Sequence, residues 1–316
     1  MKNKLISRIS NGFGNQMFLY AASYVFAKKA NYDLFLDIYT GINHDIKKNN
    51  YKDFKHYVPK YELDVFNLSS NILTHNLSFD SKLGYIKRKI YIFLDIFKKH
   101  KKFIIEKTNK ENKNFFTDID KSYFLNKNIY IEGYFESEKY FLDYRNDILN
   151  EFTFKKYINC NKKYYSQIIN SNSVSLAFRS DRFTEKYNDN NSIVKINKTK
   201  EFELKQLDFI SKSIDYFNKK IPNPKFFLFS DNFENIPKKL LNSNNIVLVK
   251  EFLSNKVLED FFLMTKCKNY AVSPTTFHWW SAWLNDNPNK ICLRPENLSE
   301  FIIKEVDDIE LIMNKL

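Results

Sequence analysis

From Leu5 to Ser10 apolar and polar residues alternate in the manner of a short strand. Asn11-Gly12-Phe13-Gly14 interrupts the alternation, and from Gln16 to Ala30 apolar residues occupy most faces of a helix. Leu34-Phe35-Leu36-Asp37 then reads as a second strand. Strand, glycine turn, helix and strand in this order form the βαβ unit of a parallel sheet. Between Thr40 and Tyr130 the chain turns polar and lysine-rich, and its elements are hard to place. One stretch there stands out. Along Tyr85 to Ile105, the residues Ile86, Ile90, Phe93, Leu94 and Phe97 share one helical face, flanked by Lys87, Arg88, Lys98, Lys99, Lys101 and Lys102. A basic amphipathic helix of this kind lies either in a membrane interface or against its own domain. The second arrangement is the commoner one and is the expectation here.

The second half alternates more plainly. Strands are expected at Val174 to Phe178, Lys225 to Phe229, Ile246 to Val249, Tyr270 to Val272 and Ile291 to Leu293. Helices are expected through Leu207, Ile210, Ile214 and Phe217, along Val257 to Met264, and along Phe277 to Leu284. Short strands alternating with helices predict a second parallel α/β sheet. The boundary between the two halves falls near Glu151 to Asn161, where charges and asparagines replace the apolar pattern.

The length of 316 residues suits two domains of roughly 150 residues each. With 43% apolar and 28% charged residues, the composition excludes a disordered chain. No apolar run approaches the roughly 18 residues of a spanning helix. Met1 to Arg8 carries no long apolar stretch and no small-residue cleavage site, so a cytosolic protein is expected. Cys160, Cys267 and Cys292 are too widely spaced for a disulfide framework or a metal site and read as buried thiols. The five histidines are scattered, and no metal centre is expected. A net charge of +13 suggests an acidic partner, whether nucleic acid, an anionic membrane surface or a phosphate-bearing substrate. The same lysine, asparagine and isoleucine bias also arises from an AT-rich genome. The lysines are spread along the chain and no nucleic-acid reader motif is present, so nucleic acid is not an expected partner.

Four constellations carry candidate chemistry. Gly12-Phe13-Gly14-Asn15-Gln16 lies where a strand turns into a helix. Glycines there permit a sharp turn, the helix start offers free N–H groups to a phosphate, and Asn15 and Gln16 add donors. A tight turn without a ligand is the alternative. Arg179-Ser180-Asp181-Arg182 follows a strand at the edge where α/β sheets bind ligands, and an arginine fork suits a diphosphate. Asp181 either holds that arginine or accepts a proton, and a surface ion pair is the alternative. Phe229-Ser230-Asp231-Asn232 occupies the corresponding position after the next strand, suited to a base, to a ribose or to a turn. Ser273 to Trp283 holds all three tryptophans, in a helix that Thr275 or Thr276 caps. The tryptophans read as packing against the sheet, and His278 as a structural histidine.

Taken in order, these segments resemble the family 11 glycosyltransferases, the α-1,2-fucosyltransferases that use GDP-fucose. The family opening G-G-L-G-N-Q-M-F-Q-Y-A is similar to Asn11 through Ala21. Its Y-E-L-x-x-F resembles Tyr61-Glu62-Leu63 with Phe66, and its G-Y-F-Q-S-x-x-Y-F resembles Gly133 through Phe141. Its F-S-D matches Phe229-Ser230-Asp231, its E-D-L-x-L-M-S-x-C resembles Glu259 through Cys267, and its tryptophan motif resembles Ser273 through Leu284. One departure stands out. Where the family has H-x-R-R-x-D, this chain reads Ala177-Phe178-Arg179-Ser180-Asp181-Arg182, so Arg179 alone carries over cleanly.

The resemblance implies a GT-B-like α/β fold. Two facing Rossmann-like domains, 1–155 on the acceptor side and 156–316 for the GDP-sugar, would enclose the active site in their cleft. It implies inverting transfer without a metal or other cofactor, with L-fucose moving from GDP to a galactose-like hydroxyl on a surface glycan, itself often lipid-linked. Arg179 would be the first residue against the leaving diphosphate, helped by Arg182, by the backbone after Gly12 and Gly14, and by Thr275 and Thr276. Phe13, Gln16, Ser230, Asp231 and Phe277 complete the expected donor site. Asn15 would face the reacting centre, and Asp181 is the candidate base. The altered arginine motif leaves two alternatives: a different GDP-sugar donor, or a homologue without turnover. The acceptor would bring the protein to the inner face of the membrane, with the helix at 85–105 as the contact.

Overall fold

The computed structural model describes residues 3–49, 58–74, 78–98, 100–106, 128–155, 158–180, 193–241, 243–253, 255–295 and 313–315. They form two compact units, the first running to Lys155, and each unit is built on its own parallel sheet.

The first unit contains β1 (Lys4–Arg8), α1 (Phe13–Ala30), β2 (Asp33–Asp37), α2 (Thr40–Asn49), β3 (Asn71–Ile72), α3 (Lys82–Asp95), β4 (Phe103–Ile105), β5 (Asn128–Glu132) and α4 (Arg145–Glu151). Its sheet has the order β3-β2-β1-β5-β4. The expected βαβ unit is present, with Leu5 opposite Leu34 and Arg8 opposite Asp37 in parallel register. A helix that is apolar on most faces must be covered on most faces. Accordingly, Met17, Phe18, Leu19, Tyr20, Ala21 and Ala22 of α1 are all buried. The helix closes on Asn31 in the left-handed conformation at φ 58°, whose N–H returns to the carbonyls of Ala27 and Lys28.

Two expectations for the 85–105 stretch are corrected. The helix stops at Asp95, and Phe103–Ile105 forms β4, paired parallel to β5. The cause is the Asp95 carboxylate, which accepts the N–H groups of Lys102 (2.6 Å) and Phe103 (2.7 Å) and so starts the strand. The apolar face does not pack on the unit either: Ile86, Ile90, Phe93, Leu94 and Phe97 are exposed. The inward side carries Tyr91 and Ile92, against a cluster of Phe79, Phe103 and Tyr130.

The second unit contains α5 (Lys162–Ile169), β6 (Asn172–Phe178), α6 (Ile193–Lys220), β7 (Pro224–Ser230), α7 (Lys238–Leu241), β8 (Ile246–Leu248), α8 (Lys256–Lys266), β9 (Asn269–Ala271), α9 (Thr276–Leu284), β10 (Cys292–Arg294) and β11 (Met313–Lys315). The strand order is β11-β10-β9-β6-β7-β8, with every pair parallel. Val174, Leu176 and Phe178 of β6 and Phe226 and Leu228 of β7 pack against Phe209, Ile210 and Phe217 of α6. Register aligns the carboxyl ends, since Phe178 stands opposite Ser230, and Ala271 stands opposite both Leu176 and Leu293. Arg179, Asp231 and the Ser273–Thr275 turn therefore follow the strands along one edge of the sheet, where the buried Arg294 ends β10. The three cysteines are buried and free. Among the described residues no helix is long and apolar enough to cross a membrane.

Candidate active site

The second sheet presents Arg179 at the carboxyl end of β6, held from two sides. Its backbone N–H donates to Gln206 Oε1 (3.0 Å) and its carbonyl accepts from Gln206 Nε2 (2.8 Å). Gln206 belongs to α6 and is buried. The Arg179 side chain is held by Asp231, whose Oδ2 lies 3.2 Å from Nε. Asp231 Oδ1 accepts from Ser180 N (2.9 Å), Ser180 Oγ (3.1 Å) and Asn232 N (3.0 Å). Asp231 thus joins the ends of β6 and β7 and aims the guanidinium, which stays 42% exposed. This accounts for Ser180: a buried hydroxyl bonded to Asp231 occupies the place of the second family arginine. Asp181 and Arg182 lie outside the described residues.

A second cation joins this edge without having been expected. Lys256 at the start of α8 donates from Nζ to the Ser230 carbonyl (2.9 Å) and to Asp260 Oδ2 (2.9 Å). Asp260 is pushed up to about 7 by burial, against the opposing pull of Lys256. The i,i+4 spacing of Lys256 and Asp260 was the available sequence signal. Ser230 itself bonds locally, its Oγ accepting from Asn232 N (3.2 Å).

The start of α9 lies after β9. Thr275 caps it, with Oγ1 accepting the His278 N–H at 3.3 Å. The ring of His278 is fully buried and takes the structural role expected of it. Its Nδ1 accepts the backbone N–H of Ser273 (3.0 Å), so the proton sits on Nε2 and is donated to Ser175 Oγ (2.9 Å). Burial lowers His278 to about 3, so it stays neutral and pins the turn that precedes α9. Thr276 and Phe277 are half-buried in the first turn, with the Phe277 ring 5.1 Å from that of Phe261. Trp279, Trp280 and Trp283 are buried and pack on one another, Trp279 stacked on Trp283 and Trp280 edge-on to both.

In the first unit the glycine turn differs from the expectation. The left-handed residue is Asn11 (φ 62°), while Gly12 is extended at φ −85° and begins α1 without a side-chain cap. Phe13 and Gly14 are buried, and Phe13 packs on Phe66 at 5.7 Å. Gln16, expected among the donor-site residues, has its polar atoms bonded within the unit. Its two N–H groups go to the carbonyls of Asn11 (2.8 Å) and Lys60 (2.7 Å), and its Oε1 accepts from Glu62 N (3.0 Å). It fastens the Tyr61-Glu62-Leu63 stretch to the helix start. Asn15 instead reaches across the unit, donating from Nδ2 to Glu136 Oε1 at 3.0 Å. Glu136 is aimed by a tight turn. Gly133 has φ 157°, a Cβ there would come within 2.5 Å of Glu106 Cβ, and Glu106 accepts the N–H groups of Tyr134 (2.7 Å) and Phe135 (3.0 Å). Glu136, where the family pattern has glutamine, was not singled out from sequence.

Comparison with known proteins matches residues 80–311 to the family described as Glycosyl transferase family 11. The chain is 26% identical over 306 residues to the O-antigen biosynthesis glycosyltransferase WbnK of Escherichia coli, covering 92% of this chain and 93% of that protein. It is also 26% identical over 297 residues to the Alpha-1,2-colitosyltransferase of Escherichia coli, covering 92% of this chain and 91% of that one. Among solved structures it is similar to the fucosyltransferase NodZ from Bradyrhizobium, at 10% identity with a TM-score of 0.44 over 89% of this chain and 92% of that chain. A point mutant of Arabidopsis thaliana FUT1 in complex with GDP gives 14% identity and a TM-score of 0.46 over 94% and 72%.

Proposed function

The chain belongs to glycosyl transferase family 11 and is a glycosyltransferase; from that premise we propose that it transfers L-fucose from GDP-fucose to a galactose-like hydroxyl of a surface glycan, with inversion. The observation that carries this reading is the doubly held Arg179 beside Lys256 at the carboxyl edge of the second sheet. The acceptor hydroxyl attacks the anomeric carbon from the face opposite the nucleotide, and the bond from that carbon to the diphosphate oxygen breaks. Negative charge then grows on the leaving diphosphate, where fixed cations stabilise the transition state more than the ground state. Arg179 supplies a planar fork and Lys256 a point charge. With Asp260 near 7, much of the Lys256 charge is left uncancelled at neutral pH. The amides of Thr276 and Phe277 at the start of α9 add donors. These groups supply positive charge to the leaving phosphates without a divalent cation.

We assign the proton chemistry to Asn15 and Glu136 of the first unit, a reading supported by the hydrogen bond between them. Glu136 accepts the hydroxyl proton and Asn15 holds the carboxylate in position. A different GDP-sugar donor is the second reading, favoured by Ser180 in place of an arginine and by a relative named for colitose transfer. Calorimetric titration with GDP, GDP-fucose, GDP-mannose, UDP and UDP-sugars separates these readings. Selective GDP binding, tightened by one sugar, supports the assignment and names the donor. Preference for UDP, or no nucleotide binding at all, overturns it.

A further inference from the structure

The helix α3 is turned inside out. Its buried side is largely polar or aromatic: Arg88 donates from Nε to Glu132 Oε1 of β5 at 2.7 Å, with a second bond from Nη2 to Oε2, and the Asp95 carboxylate binds the start of β4. Tyr91 meets Phe79 at 6.3 Å and Ile92 joins the core cluster. The outward side is apolar, with Leu83 80%, Ile90 50% and Phe93 60% exposed and Ile86 and Leu94 beside them, and Phe97, 76% exposed, follows just past the helix end. At about 100° per residue, Leu83, Ile86, Ile90, Phe93 and Leu94 fall within an arc of about 100°, roughly opposite the buried side. Single exposed apolar residues are ordinary, whereas a contiguous stripe of this kind marks an interaction surface.

The charge around the stripe identifies the partner. Lys82 and Lys89 lie along one shoulder and Lys87 along the other, and Lys98, Lys101 and Lys102 follow the helix end. The side chains of Lys87 and Lys89 lie over the Tyr91 and Tyr85 rings, at 5.6 and 4.7 Å, and leave the stripe uncovered. Between Lys82 and Lys102 the only acidic residue is Asp95, which is buried on the inward side. A second copy of the chain would bring lysine rows against lysine rows, and nucleic acid would have no use for the apolar stripe. We propose that the outer face of α3 docks on an anionic phospholipid surface. The apolar residues enter the interface and the flanking lysines meet the phosphates. This surface lies on α3 and does not depend on the transfer chemistry.

Sedimentation of the full chain with vesicles of phosphatidylcholine alone, or of phosphatidylcholine mixed with phosphatidylglycerol, tests the proposal. The anionic vesicles are expected to retain the protein at least about tenfold better than the neutral ones, with retention falling as salt rises. Ile90→Glu with Phe93→Glu alters exposed positions only; it should abolish retention while the circular dichroism spectrum and nucleotide binding stay unchanged. Lys82→Glu with Lys89→Glu should lower retention about tenfold or more and remove its salt dependence. Equal retention by both vesicle types, or by the wild type and the Ile90/Phe93 variant, overturns the proposal. So does a concentration-dependent dimer in vesicle-free solution that the same variant dissolves.

Discussion

Gln206 grips Arg179 by both backbone polar groups, taking its N–H at 3.0 Å and giving an N–H to its carbonyl at 2.8 Å. The clamp joins the middle of α6 to the end of β6 and leaves the guanidinium to Asp231 and solvent. Replacing Gln206 by Leu orphans a donor and an acceptor, each worth about 1–3 kcal/mol when buried. GDP affinity measured by calorimetry is expected to fall at least about tenfold, with a melting temperature lowered by a few degrees. Gln206→Glu keeps the acceptor for Arg179 N and should fall between the wild type and Gln206→Leu.

Arg179→Ala is expected to abolish the GDP response. Arg179→Lys should restore little of it, because an ammonium cannot both meet Asp231 and present a fork to a diphosphate. Near-normal binding by the lysine variant would mean that charge alone suffices at this position.

Glu136→Gln removes the proposed base while keeping a partner for Asn15. Turnover should drop by about a hundredfold or more, with GDP affinity unchanged within a factor of about two. A parallel loss of nucleotide binding would instead give Glu136 a structural part.

Two buried groups set opposite pH dependences of stability. His278 falls from its ordinary 6.5 to about 3, so between those values the unfolded chain binds a proton that the folded chain does not. Its contribution to stability therefore rises with pH in that window. Asp260 rises from 3.8 to about 7, so the folded chain holds the extra proton and its contribution falls as pH rises toward 7. Denaturant unfolding between about pH 4 and 7 should show the wild type with a shallow profile. Asp260→Asn should leave a stability that climbs with pH, and His278→Gln one that declines.

Turnover is expected to be unchanged by exhaustive chelation of divalent cations. The proposed leaving-group charge is met by Arg179 and Lys256, not by an ion. A loss of rate with EDTA, restored by Mg2+ or Mn2+, would show that these two side chains do not suffice.

The legible parts of the molecule were those whose cause is local. The βαβ opening was readable because β1 alternates, α1 is apolar all round and a turn separates them. Arg179 and Asp231 could be placed at one edge because each follows an apolar strand directly. α1 begins three residues before the expected Gln16, because Phe13 and Gly14, loop-like in the local pattern, are buried helix. Short strands β3, β4 and β5 escaped notice, β4 having three residues beside a lysine-rich helix and no alternation of its own.

The partners of the site escaped for another reason. Gln206 lies 27 positions from Arg179, Lys256 lies 26 from the Ser230 carbonyl, and Glu136 lies 121 from Asn15. No periodicity links such positions. Gln16 shows the converse, because a donor that suits a ligand equally suits the carbonyl of Lys60, and only the folded chain says which it meets.

By itself, then, the order of apolar and polar residues determined two parallel α/β units and the strand ends from which Arg179 and Asp231 emerge, because side-chain burial follows the period of each element. Tertiary structure decided which side of α3 faces the core, since the Arg88–Glu132 pair and the Asp95 carboxylate turn its polar side inward. It decided as well that Ser180 serves Asp231 and that Lys256 reaches the carboxyl end of β7. Those outcomes rest on hydrogen bonds between residues distant in the chain, and a bond of that kind leaves no mark on the local pattern.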